Sequence, residues 1–152
     1  MYDRVLIPTD GSTASEGAIE RAIDLANQYG ATLHALYVVD AGTYSSLEAA
    51  ADVVADELRA EGTEAVEAIA ARGADSGVAV ETAVETGVVH RAIVDYVDRQ
   101  EIDLVVMGTH GRTGVGRFLL GSVAEKVIRT ADVPVMTVRA DGGESDESDA
   151  EE

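Results

Sequence analysis

The 152-residue sequence contains no cysteine, which excludes disulfides and thiolate metal sites and leaves the fold to stand on packing. Aromatic residues are scarce, at 4%, while hydrophobic residues as a whole reach 46%. The core must therefore be assembled mainly from Val, Ala, Leu and Ile, side chains that suit helices packed on a buried sheet. No apolar run approaches the length of a membrane span. The N-terminal MYDRVLIPTD carries charge at Asp3 and Arg4 before a brief apolar run, unlike a signal peptide. A soluble, cytoplasmic protein is expected. Positive charge is scarce as well: ten arginines and one lysine, Lys126, stand against 29 acids, for a net charge of -18. Such a surface repels nucleic acid and anionic membranes. It is also the charge balance of proteins from salt-loving organisms, where high ionic strength screens self-repulsion, so a halophilic source is expected.

Several familiar chemistries lack their residues. The dinucleotide fingerprint G-x-G-x-x-G is missing, because Gly114-Val115-Gly116 is followed by Arg117, Phe118 and Leu119. The stretch Gly116 to Ser122 has the glycine spacing of a P-loop without its lysine. There is no G-x-S-x-G elbow, and His34, His90 and His110 show no metal-ligand spacing. His34 and His90 read as core or surface residues. Acidic pairs such as Glu64 and Glu67 read as the solvated face of a helix.

What is present is an alternation of strands and helices. DRVLIP opens a first strand expected to stop at Pro8, where a missing amide hydrogen ends the ladder. Ala14 to Ala26 recur at helical spacing, with Thr13 and Glu16 as a capping box and Gly30 as the stop. A second strand covers 31–39. Residues 46–72 are helical in pattern, either as one helix or as two with a kink at Gly62. Further elements follow at 78–84 (strand), 88–98 (helix), 102–107 (strand), 123–130 (helix) and 134–138 (strand). The order βαβαβαβαβ implies a single open, twisted, five-stranded parallel sheet with helices on both faces, and a ligand site at the carboxyl ends of its strands. One domain is expected over 1–139, followed by a disordered acidic tail at 140–152.

The stretch MGTHGRTGVGRFLLGS, residues 107–122, holds five glycines in sixteen residues. Gly108 and Gly111 follow the fourth strand, and Gly121 with Ser122 is expected to open the next helix. Those are positions where bare amides and a helix dipole hold phosphate oxygens, although glycines there can equally serve turn geometry alone. Ser122 also has Glu125 three places on, so its hydroxyl serves the helix cap, a phosphate, or each in turn. Residues 104–124 contain no acid but include His110, Arg112 and Arg117. An anion is the ligand such an island suits. The guanidinium forks of Arg112 and Arg117 match phosphate, or pair with acids elsewhere. His110 either touches a phosphate or is an exposed spacer.

The pattern Gly108-x2-Gly111-x9-Gly121-Ser122, after a strand ending in Met107 and before VAEKVIRTADVPVMTV, resembles the nucleotide loop of the universal stress protein family in its ATP-binding branch. VLIPTDGS and LYVVD are similar to the family too, and the resemblance covers residues 3–139. It implies a Rossmann-like, adenine nucleotide alpha hydrolase-like sheet of order 3-2-1-4-5. It further implies ATP bound across the ends of strands one, two and four. Asp10 would meet a ribose hydroxyl, with Pro8 and Thr9 lining that wall and the backbone around Val38 and Val39 meeting adenine. Met107, Gly108, Gly111, Gly121, Ser122 and Val123 would surround ribose and phosphates. Chemistry agrees about Asp10, since a carboxylate accepts from a hydroxyl and repels phosphate, although an Asp here also simply ends a strand and steers a turn. The family implies Mg²⁺ on the phosphates, which would be held mainly by nucleotide and water because the sequence offers no ligand cluster. It also implies a homodimer through strand 134–138. The expected function is a nucleotide-responsive stress protein that binds rather than turns over ATP. The alternatives are an interaction module with no nucleotide, or a slow ATPase.

Overall fold

The structure, a computed structural model, describes residues 2–12, 15–41, 51–109 and 115–139, with the backbone alone at 51–52 and 115–120. Its elements are β1 (Arg4–Thr9), α1 (Glu16–Tyr29), β2 (Thr32–Asp40), α2 (Ala51–Asp75), β3 (Val80–Gly87), α3 (Val89–Arg99), β4 (Leu104–Gly108), α4 (Val115–Thr130) and β5 (Val135–Val138). All strand pairings are parallel, and the sheet order is β3-β2-β1-β4-β5. That is the expected fold and the expected order.

Strand side chains alternate between two cores, as a two-residue period requires. Val5, Ile7, Leu33, Ala35, Leu104 and Val106 pack with Ala18, Ala22 and Ala26 of α1 and with Val66 and Ile69 of α2. Leu6, Leu36, Val105 and Met107 pack on the other face with Ile93, Tyr96 and Val97 of α3 and with Ala124 and Val127 of α4. Both faces of β1 and β4 are covered, which is why those segments read as solid apolar runs. Small alanines on α1 let it lie close over the sheet, so few aromatics are needed. At the base of the sheet the Asp103 carboxylate accepts the backbone N–H of Asp3 at 2.9 Å and of Arg4 at 3.2 Å, fixing where β1 begins.

Several boundaries differ from the sequence reading. β1 runs through Pro8 to Thr9. The third strand is Val80–Gly87 rather than 78–84, because it is an edge strand with exposed Glu81 and Thr82, and its apolar signal is weak, while Val78 is buried in the turn before it. α1 starts at Glu16 with Ser15 as its N-cap, and Ser15 bonds backward to the Ser12 carbonyl at 2.8 Å rather than forward into the helix. The expected cap, Thr13, lies outside the described residues. α2 is continuous from Ala51 through Gly62, which settles the choice for the part described. Its glycine answers a packing need, since a Cβ at Gly62 would fall 2.5 Å from Cδ1 of Tyr37. α4 begins at Val115, not at Val123, so Gly121 and Ser122 lie inside a helix and Ser122 is not its cap. No Pro interrupts 115–122, and an interior glycine costs a helix only about 1 kcal/mol, so Gly121 is no stop. The acidic tail at 140–152 lies outside the described residues.

Candidate functional site

The sheet order reverses between β1 and β4, and the site grows from how those two strands separate. In a parallel strand the N–H and C=O of one residue point to one side, and those of the next residue to the other. The Arg4 carbonyl accepts from Asp103, whereas the Asp3 carbonyl accepts from Thr32. Even-numbered residues of β1 therefore face β4 and odd-numbered ones face β2. Pro8, lacking an N–H, faces β4. Pairing with β2 continues to Thr9↔Tyr37, but pairing with β4 stops at Leu6↔Val105. The imide nitrogen sits on the one side where the ladder has already ended, which is how proline is accommodated in a central strand.

Beyond this divergence lies a cavity of about 340 Å³, at the smaller end of ligand pockets. Pro8, Thr9 and Asp10 form one wall, residues 36–40 of β2 another, and Met107, Val123, Val89 and Ile93 the apolar floor, with Leu58 of α2 at the far side. β2 outruns β1 here: Val38, Val39 and Asp40 pair with β3 but have no β1 residue opposite. By the same alternation, the backbone groups of Val38 face the side that β1 has left.

The polar rim is ordered by short-range bonds. Asp10 Oδ1 accepts the Ser12 backbone N–H at 2.9 Å and the Ser12 hydroxyl at 2.6 Å. Its carboxylate is exposed. Asp10 thus does what an Asp does in a turn and is also one of the residues that line the cavity. Thr9 Oγ1 accepts the Gly11 N–H at 3.1 Å and lies 3.3 Å from Ser15 Oγ. Because the Ser15 hydroxyl is committed to the Ser12 carbonyl, Thr9 is the donor of that pair. The Tyr37 phenol is held above its ordinary pKa, first by burial and then by the carboxylates of Glu61 and Asp10. Among the described residues, the lining includes two carboxylates, Asp10 and Asp40, and no Lys, Arg or His.

Seven of the sequence-derived site residues meet in this cavity: Pro8, Thr9, Asp10, Val38, Val39, Met107 and Val123. Gly108 is the buried last residue of β4, paired with Val138. Gly121 lies in α4 where a Cβ would come 3.0 Å from the Thr109 carbonyl, so its bareness serves the approach of helix to strand exit. The amides of Gly121 and Ser122 belong to the helix ladder and are not bare donors; Ser122 itself is exposed. His110, Gly111 and Arg112 lie outside the described residues. The sequence reading missed Leu36, Tyr37, Asp40, Leu58, Val89 and Ile93 as lining. Val89 and Ile93 could have been found from their i, i+4 spacing at the start of the helix that opens beside the sheet's carboxyl end. His34 is apart from the site: it is 2% exposed and its Nδ1 is 2.7 Å from the Tyr96 hydroxyl. Among the described residues no group of His, Asp or Glu could hold a metal ion, and no helix is long and apolar enough to cross a membrane.

A parallel sheet of this order, covered on both faces and hollowed where its strand order reverses, defines a doubly wound α/β protein of the Rossmann-like class. Residues 1–139 match the model of the universal stress protein family, and the chain belongs to that family. It is 39% identical over 141 residues to universal stress protein MJ0531 of Methanocaldococcus jannaschii, covering 91% of this chain and 83% of the relative. It is 31% identical to universal stress protein YxiE of Bacillus subtilis, covering 91% of this chain and all of the relative (100%). Among solved structures it is similar to the protein MJ0577, with a TM-score of 0.80 at 30% identity, over 91% of this chain and 96% of that one. It is also similar to a universal stress protein in complex with cAMP, with a TM-score of 0.70 at 29% identity, over 90% and 97% of the two chains.

Proposed function

We propose that this protein binds ATP in the cavity between β1, β2 and β4 and acts as a nucleotide-responsive regulatory protein of the cytoplasm. The observation that carries the reading is the cavity itself: an apolar slot of nucleoside size, open at the switch point, with an ordered carboxylate on its rim. Adenine lies along Val38 and Val39 over Met107 and Val123, and Asp10 accepts from a ribose hydroxyl with Pro8 and Thr9 behind it. The phosphates extend past Gly108 toward Gly111, His110 and Arg112, and the Ser122 hydroxyl, rather than its amide or that of Gly121, is the group α4 offers them. Mg²⁺ rides on the phosphates with water as its remaining shell. The cAMP complex of a relative supports a site for adenine nucleotides in this fold and makes cAMP a ligand to test.

We further propose a homodimer through β5, an edge strand whose Val135, Met136 and Val138 are only half-buried within one chain. The charge of -18 supports a halophilic setting, in which molar KCl should raise the melting temperature. Titration calorimetry of the nucleotide-stripped protein with ATP, ADP, AMP and cAMP tests the main reading. Asp10→Asn should weaken ATP about tenfold or more, the scale of a charge-assisted hydrogen bond. Silence at millimolar ATP would replace this reading with that of a bare interaction module. Phosphate release in a steady-state assay, abolished in Asp10→Asn, would add slow turnover.

A further inference from the structure

We propose that ATP affinity at this site rises with ionic strength, so that nucleotide loading reports the salt level around the protein. The inference rests on the nucleotide reading above. The chain has a net charge of -18, and even without the seven acids of 140–152 the remaining residues hold 22 acids against 11 bases. Several of the few cations are already matched on the surface: Arg4 with Glu101, Arg72 with Glu16, Arg99 with Glu85 and Arg129 with Glu125. Among the described residues, the charged side chains of the cavity lining are those of Asp10 and Asp40. A triphosphate therefore approaches through a repulsive field that a neutral nucleoside does not feel.

Salt acts unequally on the two electrostatic contributions. The Debye length falls from about 10 Å at 0.1 M to about 3 Å at 1 M, which removes repulsion from charges spread over the molecule. Attraction from any cationic side chain that meets the phosphates would act at contact distance, where screening is weakest. A phosphate site on a balanced protein loosens as salt rises, because its dominant charge contribution is attractive. Here the long-range contribution has the opposite sign, so the trend inverts.

The test is calorimetric titration of the full-length, nucleotide-stripped protein with adenosine, AMP and ATP, in EDTA, across 0.1 to 1 M KCl. ATP should tighten by about tenfold or more, AMP by less, and adenosine by no more than about twofold. The readout is the ratio of ATP to adenosine affinity, because any loss of fold at low salt weakens both ligands by the same factor. Equal slopes for the three ligands, or ATP that weakens as KCl rises, would overturn the inference while leaving the nucleotide reading in place. If neither adenosine nor ATP binds at any KCl concentration, the nucleotide reading itself is lost.

Discussion

Replacing Gly62 by alanine puts a packing contact against an intrinsic helix preference, and the geometry decides the sign. In an unhindered helix interior the exchange gains about 1 kcal/mol. At Gly62 the new methyl would lie 2.5 Å from Cδ1, 2.8 Å from Cγ and 3.0 Å from Cε1 of Tyr37, distances at which something must move. The far end of a long side chain could swing away, but the atoms met first are at the near side of this ring, and Tyr37 is 9% exposed and packed in the core cluster. Overpacking of this kind costs about 1–3 kcal/mol. The net expectation is a loss of about 1–2 kcal/mol despite the better helix former. Gly17 of α1 is the internal control, since a Cβ there would make ordinary contacts at 3.5 Å with Val138 and 3.6 Å with the Arg139 carbonyl. Gly17→Ala should stabilise by about 0.5–1 kcal/mol. Urea denaturation of both variants in molar KCl gives the comparison. Because Tyr37 lines the cavity, a displaced ring should also weaken adenosine binding. A Gly62→Ala protein as stable as Gly17→Ala would refute the reasoning.

The buried His34 has its pKa lowered, first by burial, with Glu81 opposing and Arg4 assisting. The unfolded chain then binds the proton more readily than the folded one, so this residue's contribution is intact above pH 6.5 and is lost as pH falls below that value. His34→Gln should flatten the acid side of a stability profile between pH 7.5 and 5.5, and an unchanged profile would count against the assignment. Tyr96→Phe removes the hydroxyl 2.7 Å from His34 Nδ1 and should cost about 1–3 kcal/mol in a denaturation curve. Asp103→Ala should cost a similar amount by freeing two backbone N–H groups at the start of β1, with faster amide exchange at Asp3 and Arg4 as the local signature. Gly121→Ala should fail to stabilise α4, because the Thr109 carbonyl stands 3.0 Å from the new methyl.

The parts of the fold that were legible in the sequence are those in which one strong signal dominates. Buried β1, β2 and β4 announce themselves as apolar runs, and Gly30 ends α1 in the left-handed conformation that a glycine stop predicts. β3 slipped because an edge strand is half solvated and its Glu and Thr carry no inward pattern. Glycine was the weakest guide. Gly62 and Gly121 look like breaks, yet each sits inside a helix because a neighbouring ring or carbonyl comes too near for a side chain, a long-range cause that local spacing does not record. The site divides the same way. Asp10, Val38, Val39 and Met107 lie at strand ends and were named through the family resemblance, whereas Leu58, Val89 and Ile93 line the cavity from helices, which periodicity alone does not aim.

Pro8 gives the hollow a permanence that a hinge or lid would not. A residue with an amide hydrogen at that position could hydrogen-bond toward the neighbouring strand and draw the two ends shut in an empty protein. An imino acid has no such bond to offer or to break. The gap between the carboxyl ends of β1 and β4 therefore exists with no hydrogen bond of Pro8 to be broken.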